Sequence, residues 1–224
     1  MDAKFAVSVM CMDFLNLRTQ IEKLNSLADY YHFDIMDGHF SPNLMLPPSF
    51  VTSLAAAMKL PIDVHLMVER PGQYIEALAK AGVSIISLHA ETINAYAFRI
   101  INHVKALGCK VGIALNPATP LTYIKHYMHL IDMLTIMTVD IGYSGNPFIE
   151  EMLKKIKMAY QMRRVNDYHY LIQVDGACNE STFGKLTRAG AEVFVMGNTG
   201  LFKHDPDIEK AYSIMLDYYR REAG

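Results

Sequence analysis

Two periodicities alternate along the chain. Short apolar runs with strand character occur at Phe5–Met10, His32–Met36, Ile62–Val68, Ser84–His89, Val111–Leu115, Met133–Val139, Tyr170–Val174 and Glu192–Met196. Between them, apolar residues recur at three- and four-residue spacing, the period of an amphipathic helix. Phe14–Leu27 carries Phe14, Leu17, Ile21 and Leu24, and Ile93–Leu107 carries Ile93, Ala97, Ile100, Val104 and Leu107. Pro71–Ala79, Leu121–Leu130, Phe148–Met162 and Ile208–Tyr219 follow the same rule. Glycines at Ala81-Gly82, Leu107-Gly108 and Ala189-Gly190 mark helix ends. Eight strands alternating with about eight helices predict parallel strands joined by helical crossovers. The pattern fits an α/β fold, a closed (β/α)8 TIM barrel. An open doubly wound sheet would need edge strands, and none is visible. No linker or charge block divides the chain, so residues 1–224 read as one barrel domain.

Length and composition agree with this pattern. The chain has 224 residues, 51% of them hydrophobic, which supplies a large core and excludes disorder. With 21 Lys+Arg against 23 Asp+Glu there is no basic field for nucleic acid or an anionic membrane. The three cysteines, Cys11, Cys109 and Cys178, are far apart, which argues against a disulfide framework or a thiolate zinc site. Met1 to Met12 has neither a basic start nor a long apolar core, so no signal peptide is expected, and no apolar run is long enough for a membrane span. The expected location is the cytoplasm.

In a barrel of this kind the reactive groups sit at the C-terminal ends of the strands. The second strand reads His32-Phe33-Asp34-Ile35-Met36-Asp37-Gly38-His39, and residues two apart share a face, so His32, Asp34 and Met36 point together. The third places His65 and Met67 on one face, and the seventh ends Gln173-Val174-Asp175-Gly176. A carboxylate inside a barrel is costly unless paired, hydrogen-bonded or metal-bound. One strand histidine alone reads as a hydrogen-bonded core residue. Two imidazoles and two carboxylates converging on one barrel mouth form a candidate divalent-metal site. His89 reads as structural or as a neighbour of the ligands, and His103, His126, His129, His169 and His204 as solvated. Asp37-Gly38 reads as a turn.

Fifteen methionines is a high count, and Met36, Met67 and Met137 fall near strand ends. Spacing alone favours gap-filling in the core over a wall around a ligand. Two glycine clusters, Gly142-Tyr143-Ser144-Gly145-Asn146 after the sixth strand and Gly197-Asn198-Thr199-Gly200 after the eighth, lie where barrels often bind phosphate.

At this point the sequence resembles the ribulose-phosphate 3-epimerase family over essentially its whole length. The resemblance rests on His32-Phe33-Asp34-Ile35-Met36-Asp37-Gly38-His39-Phe40 with Ser41-Pro42-Asn43, on Asp63-Val64-His65-Leu66-Met67-Val68, and on Leu115-Asn116-Pro117 with Thr119-Pro120. Met137-Thr138-Val139 and Val174-Asp175-Gly176 complete it. Within the family the chain is most similar to the D-allulose-6-phosphate 3-epimerase branch, through Met10-Cys11-Met12-Asp13, His89 with Glu91-Thr92-Ile93-Asn94, Ala97-Phe98-Arg99 and Gly200-Leu201-Phe202.

The resemblance implies one divalent metal ion (zinc, iron, manganese or cobalt) held by His32, Asp34, His65 and Asp175, with Asp34 and Asp175 as the two acid–base residues. It also implies substrate contacts from Ser8, His65, Asp175 and Gly176, phosphate binding by Gly142, Tyr143, Ser144, Gly145, Gly197 and Asn198, and packing of Met36, Met67 and Met137 over the site. The implied reaction is epimerisation at C3 of a phosphorylated ketose by two-base proton transfer through a metal-stabilised enediolate. D-Allulose 6-phosphate/D-fructose 6-phosphate is the first candidate pair, with D-ribulose 5-phosphate the alternative and a non-catalytic sugar-phosphate binder a more distant one. A homo-oligomer, dimer or hexamer, is implied too, and the apolar Leu44–Pro48 loop is a candidate part of its interface. There are departures from the family's usual strings. Its Ser-Pro-Ser reads Ala6-Val7-Ser8, its Pro-Gly-Phe-Gly-Gly-Gln reads Ile141-Gly142-Tyr143-Ser144-Gly145-Asn146, and Asn198 stands where a small hydroxylated residue is usual. A Schiff-base aldolase would need a lysine on an inward strand position, and the strand runs offer only Lys4 and Lys110 at their starts. The Asp-x-Lys-x-x-Asp of related decarboxylases and hexulose-phosphate synthases is absent after the second strand.

Overall fold

Apolar side chains on both faces of a strand call for cover on both faces, and a closed parallel barrel ringed by helices provides it. The computed structural model describes residues 3–224. Met1 and Asp2, the start of the N-terminal stretch discussed above, lie outside them. Eight parallel strands close on themselves: β1 (Lys4–Ser8), β2 (Tyr30–Asp37), β4 (Ile62–Met67), β5 (Ile85–His89), β6 (Lys110–Leu115), β7 (Met133–Met137), β8 (Leu171–Asp175) and β9 (Val193–Met196). β1 pairs with both β2 and β9, which seals the ring. A ninth strand, β3 (Leu44–Met45), runs antiparallel to the end of β2, in the segment read from sequence as a loop. The helices are α1 (Leu17–Leu24), α2 (Pro48–Ala55), α3 (Ile75–Lys80), α4 (Ala90–Ile93), α5 (Ala97–Ala106), α6 (Met152–Asn166), α7 (Phe183–Ala189) and α8 (Ile208–Ala223). Gly82, Gly108 and Gly190 all adopt positive φ just beyond helix ends, as their positions predict.

One predicted helix is different. Leu121–Leu130 forms two short 3-10 turns, Leu121–Ile124 and Met128–Leu130. Leu121 and Ile124, three residues apart, share the buried side of the first turn at three residues per turn, and Tyr127 and Met128 are buried where the second begins. Other boundaries shift by a few residues. The first strand stops at Ser8, and Val9–Cys11 turn away as a 3-10 segment.

Two separate cores result. The large one lies between the helices and the outer face of the strands. The small one fills the floor of the barrel with Ala6, Ile85, Met133 and Val193, and reaches up one side to Val195 in the cleft wall. Above that floor the lumen turns polar, with Asp63, Ser87, Thr135 and Gln173 all fully buried. Gly112 makes room for this layer, because a Cβ there would collide with the Ser87 side chain, 2.8 Å from its Cβ.

Candidate active site and metal centre

Strand register sets the site. Asp34 pairs with His65 and Met36 with Met67 across β2 and β4, Ser8 faces His32 across β1 and β2, and Met137 faces Asp175 across β7 and β8. One donor atom from each of His32, Asp34, His65 and Asp175 lies within 4.8 Å of all the others. His32 Nε2 is 3.2 Å from Asp34 Oδ1 and 3.6 Å from Asp175 Oδ2. His65 Nδ1 is 3.3 Å from Asp34 Oδ1 and 3.4 Å from Asp175 Oδ2. Ser8 Oγ donates to the other oxygen of Asp34 at 3.1 Å.

A divalent cation fits this donor set. His32 Nε2 is buried without a hydrogen-bond partner and is aimed between two carboxylates. Its other nitrogen, Nδ1, meets Asp63 Oδ2 at 2.8 Å. Asp63 is itself held by Ser87 Oγ at 2.8 Å and Gln173 Nε2 at 3.0 Å, and Thr135 donates to Gln173. A carboxylate behind a ligating histidine fixes which nitrogen faces the ion. The electrostatics agree. Burial alone would lower the pKa of both imidazoles, yet Asp34 and Asp63 raise His32 well above its usual value, and Asp175 and Asp34 lift His65 to about 9. Burial likewise works against the Asp34 and Asp175 carboxylates, and the two imidazoles bring both below the usual range. The site calls for positive charge, and imidazoles bound to a metal through neutral nitrogens would leave the ion to supply it.

Above the cluster lies a cleft of about 300 Å³. It is lined by Ser8, Asp34, Met36, Met67, Met137 and Asp175 on the strand side. The loop side brings Gly142, Tyr143, Ser144, Gly145, Gly176, Gly197 and Asn198 to the same space. Every site residue named from the sequence is thus in the cleft wall, apart from His32 and His65, which sit fully buried within the cluster. Gly142 has φ of 119°, and a Cβ there would press on Pro42 at 3.0 Å. The loop is tied across the mouth, since Asn43 Nδ2 donates to the Gly142 carbonyl at 2.8 Å and the Tyr143 hydroxyl to the Pro42 carbonyl at 2.6 Å.

Sequence reasoning passed over Asp63, although it lies two residues before His65 and therefore on the same strand face. It also gave no task to Glu91, which accepts from the Asn116 amide at 2.9 Å and from the Thr119 hydroxyl and faces His89. His204, read as solvated, is half-buried, with Nε2 3.0 Å from the Gly200 carbonyl.

The family model of the ribulose-phosphate 3 epimerase family matches residues 4–202. The chain belongs to the ribulose-phosphate 3-epimerase family. Among similar curated proteins, the ribulose-phosphate 3-epimerase of Bacillus subtilis (strain 168) is 40% identical, over 87% of this chain and 90% of its own length. The enzyme of the same name from Aquifex aeolicus (strain VF5) is 36% identical, over 94% of this chain and 96% of its own. Solved structures similar in fold include the 3-hexulose-6-phosphate synthase of Salmonella typhimurium, with a TM-score of 0.66 at 13% identity over 98% of this chain and 99% of that one. As a member of this family the protein is an isomerase, an epimerase acting on a ketose phosphate. The family is divalent-metal-dependent, and the His32, Asp34, His65 and Asp175 cluster has the donors to hold one such ion.

Proposed function

We propose that this epimerase interconverts D-allulose 6-phosphate and D-fructose 6-phosphate, with Asp34 and Asp175 as its two bases. The observation that carries the two-base reading is that both carboxylates line one cleft, Asp34 from within β2 and Asp175 from the end of β8, brought together by the same two imidazoles. Support for the six-carbon sugar comes from Met10 and Cys11. They belong to the string most similar to the allulose-phosphate branch, and both line the cleft.

Removing the C3 proton beside a ketone leaves one negative charge, carried largely by the former carbonyl oxygen next to the C3 hydroxyl. A divalent ion held by the four ligands supplies Lewis-acid stabilisation of that charge. Asp34 and Asp175 do the proton work: one carboxylate takes the C3 proton, and the other carboxyl group, whose protonated form is favoured by repulsion between the two neighbouring carboxylates against the pull of the imidazoles, returns one to the opposite face. Ser8 keeps the Asp34 carboxylate oriented through its Oγ. Met36, Met67 and Met137 have no exchangeable proton, so the part of the cleft wall they form cannot protonate the flattened intermediate. The Gly142–Gly145 and Gly197–Asn198 segments face the same cleft and offer backbone N–H groups to the phosphate. D-Ribulose 5-phosphate is the second reading, favoured by the names of the relatives above.

The test is solvent exchange of the C3 proton, followed by NMR in D2O, with metal-loaded enzyme and both sugar phosphates in parallel. Faster exchange and epimerisation of D-allulose 6-phosphate is expected. Preference for D-ribulose 5-phosphate would make the protein a pentose-phosphate enzyme, and exchange with neither would overturn the two-base reading.

A further inference from the structure

A third buried imidazole, His89, stands behind His65 and takes no part in the chemistry above. His65 Nε2 and His89 Nε2 are 2.9 Å apart, and both rings are fully buried. The ring planes differ by 24° and the centroids stand 4.9 Å apart, so the rings meet nitrogen to nitrogen with their planes nearly parallel. On the far side, His89 Nδ1 lies 3.2 Å from Glu91 Oε2. The other Glu91 oxygen accepts from the Asn116 amide and the Thr119 hydroxyl, so the carboxylate is anchored from outside the lumen. The loop that supplies those donors is anchored in turn, as Lys155 Nζ donates to the Asn116 and Pro117 carbonyls at 2.9 and 2.8 Å.

Two nitrogens that close must share one proton, and the chain of contacts decides where it sits. An ionised Glu91 accepts only, so His89 Nδ1 carries a proton and donates it. A neutral His89 then has a bare Nε2, which accepts. His65 must put its own proton on Nε2, and its Nδ1, the nitrogen facing Asp34 and Asp175, is left with a free lone pair. We propose that Glu91 and His89 are positioning residues that fix the tautomer and the ring plane of His65, so that Nδ1 is presented to the metal. Asp63 does the same for His32 directly, whereas His65 is reached through one intervening imidazole. The inference rests on the metal-ligand reading of His65 and not on the identity of the sugar.

The test measures metal binding itself. Full-length protein is stripped of metal and titrated with Zn2+ against a chromophoric chelator, and with Co2+ by visible absorption, for Glu91→Gln, His89→Gln and His89→Phe. The Glu91→Gln change lets an amide N–H face His89 and reverse the proton chain. His89→Phe removes the acceptor for His65 Nε2–H. Both should raise the metal dissociation constant about 10–100-fold and alter the Co2+ spectrum, with metal-free thermal stability changing little. His89→Gln keeps a carbonyl acceptor and should recover most of the affinity. Unchanged affinity and spectrum in Glu91→Gln would overturn the proposal. So would equal losses in His89→Gln and His89→Phe, which would mean that the position needs ring packing and no acceptor. Should the Phe variant fail to fold, the contrast between Glu91→Gln and His89→Gln still decides. A mistaken sugar assignment would change substrate preference and leave these constants untouched.

Discussion

Asp175 emerges from an apolar strand with its side chain 15% exposed, against 6% for Asp34, and both need cations beside them to stay ionised there. Asp175→Asn keeps the shape and removes the base and one anionic ligand. It should fold, with a metal-free melting temperature close to that of the parent, and lose turnover by at least about 10²–10⁴-fold. Near-normal turnover, measured by the exchange assay, would end the two-base scheme. Lys155 offers a different residue-scale test. Burial pulls its ammonium down to about 8, with Glu91 opposing in part. Between that value and the ordinary lysine pKa of 10.5 the unfolded chain binds more protons than the folded one, so this group's contribution to stability rises with pH across the window. Denaturant titrations of the parent and Lys155→Met at pH 8 and pH 10 should show the parent gaining on the variant. A constant difference would show that the charge carries no burial cost.

At the scale of elements, β5 and β6 show how one residue sets a layer. Gly112 leaves the space through which Ser87 reaches Asp63, since a Cβ at 112 would overlap Ser87 Oγ and stand 2.8 Å from its Cβ. Gly112→Ala should cost about 1–3 kcal/mol in urea unfolding, the usual range for overpacking. Adding Ser87→Gly should recover part of that loss, and no recovery would place the strain elsewhere. The barrel strands and helix stops were legible in the sequence because period two, period 3.6 and C-terminal glycine each leave a mark within a few residues. Leu121–Leu130 was not, since apolar residues three apart satisfy a helical reading and a 3-10 reading alike. Nor was β3, whose two residues are too short to show alternation. The four ligands were legible as polar residues in apolar runs. Asp63 bears the same mark, but it stands near the start of its strand, where a polar residue is ordinary. Glu91 leaves none, because its importance lies in a loop brought from 25 residues away.

The whole molecule separates its tasks by height along the barrel axis. The floor of Ala6, Ile85, Met133 and Val193 is apolar, the middle layer is hydrogen-bonded around Asp63, and the reacting groups lie in the cleft at the other end, where Val195 carries the apolar cluster up to its wall. Among the described residues, no helix is long and apolar enough to cross a membrane. Large apolar side chains do reach the surface, with Leu15 93% and Leu44 73% exposed. Leu44 is on β3, the strand that extends the loop after β2 over the barrel mouth. That loop and the Gly142–Gly145 loop are stitched together by Asn43 and Tyr143, although about a hundred residues of chain separate them. Neither flap can swing aside alone while both stitches hold. Departure of product through this side of the mouth would require breaking two hydrogen bonds at once or moving both flaps as one door. Removing the Asn43 amide or the Tyr143 hydroxyl would unlatch that door while leaving His32, Asp34, His65 and Asp175 unchanged.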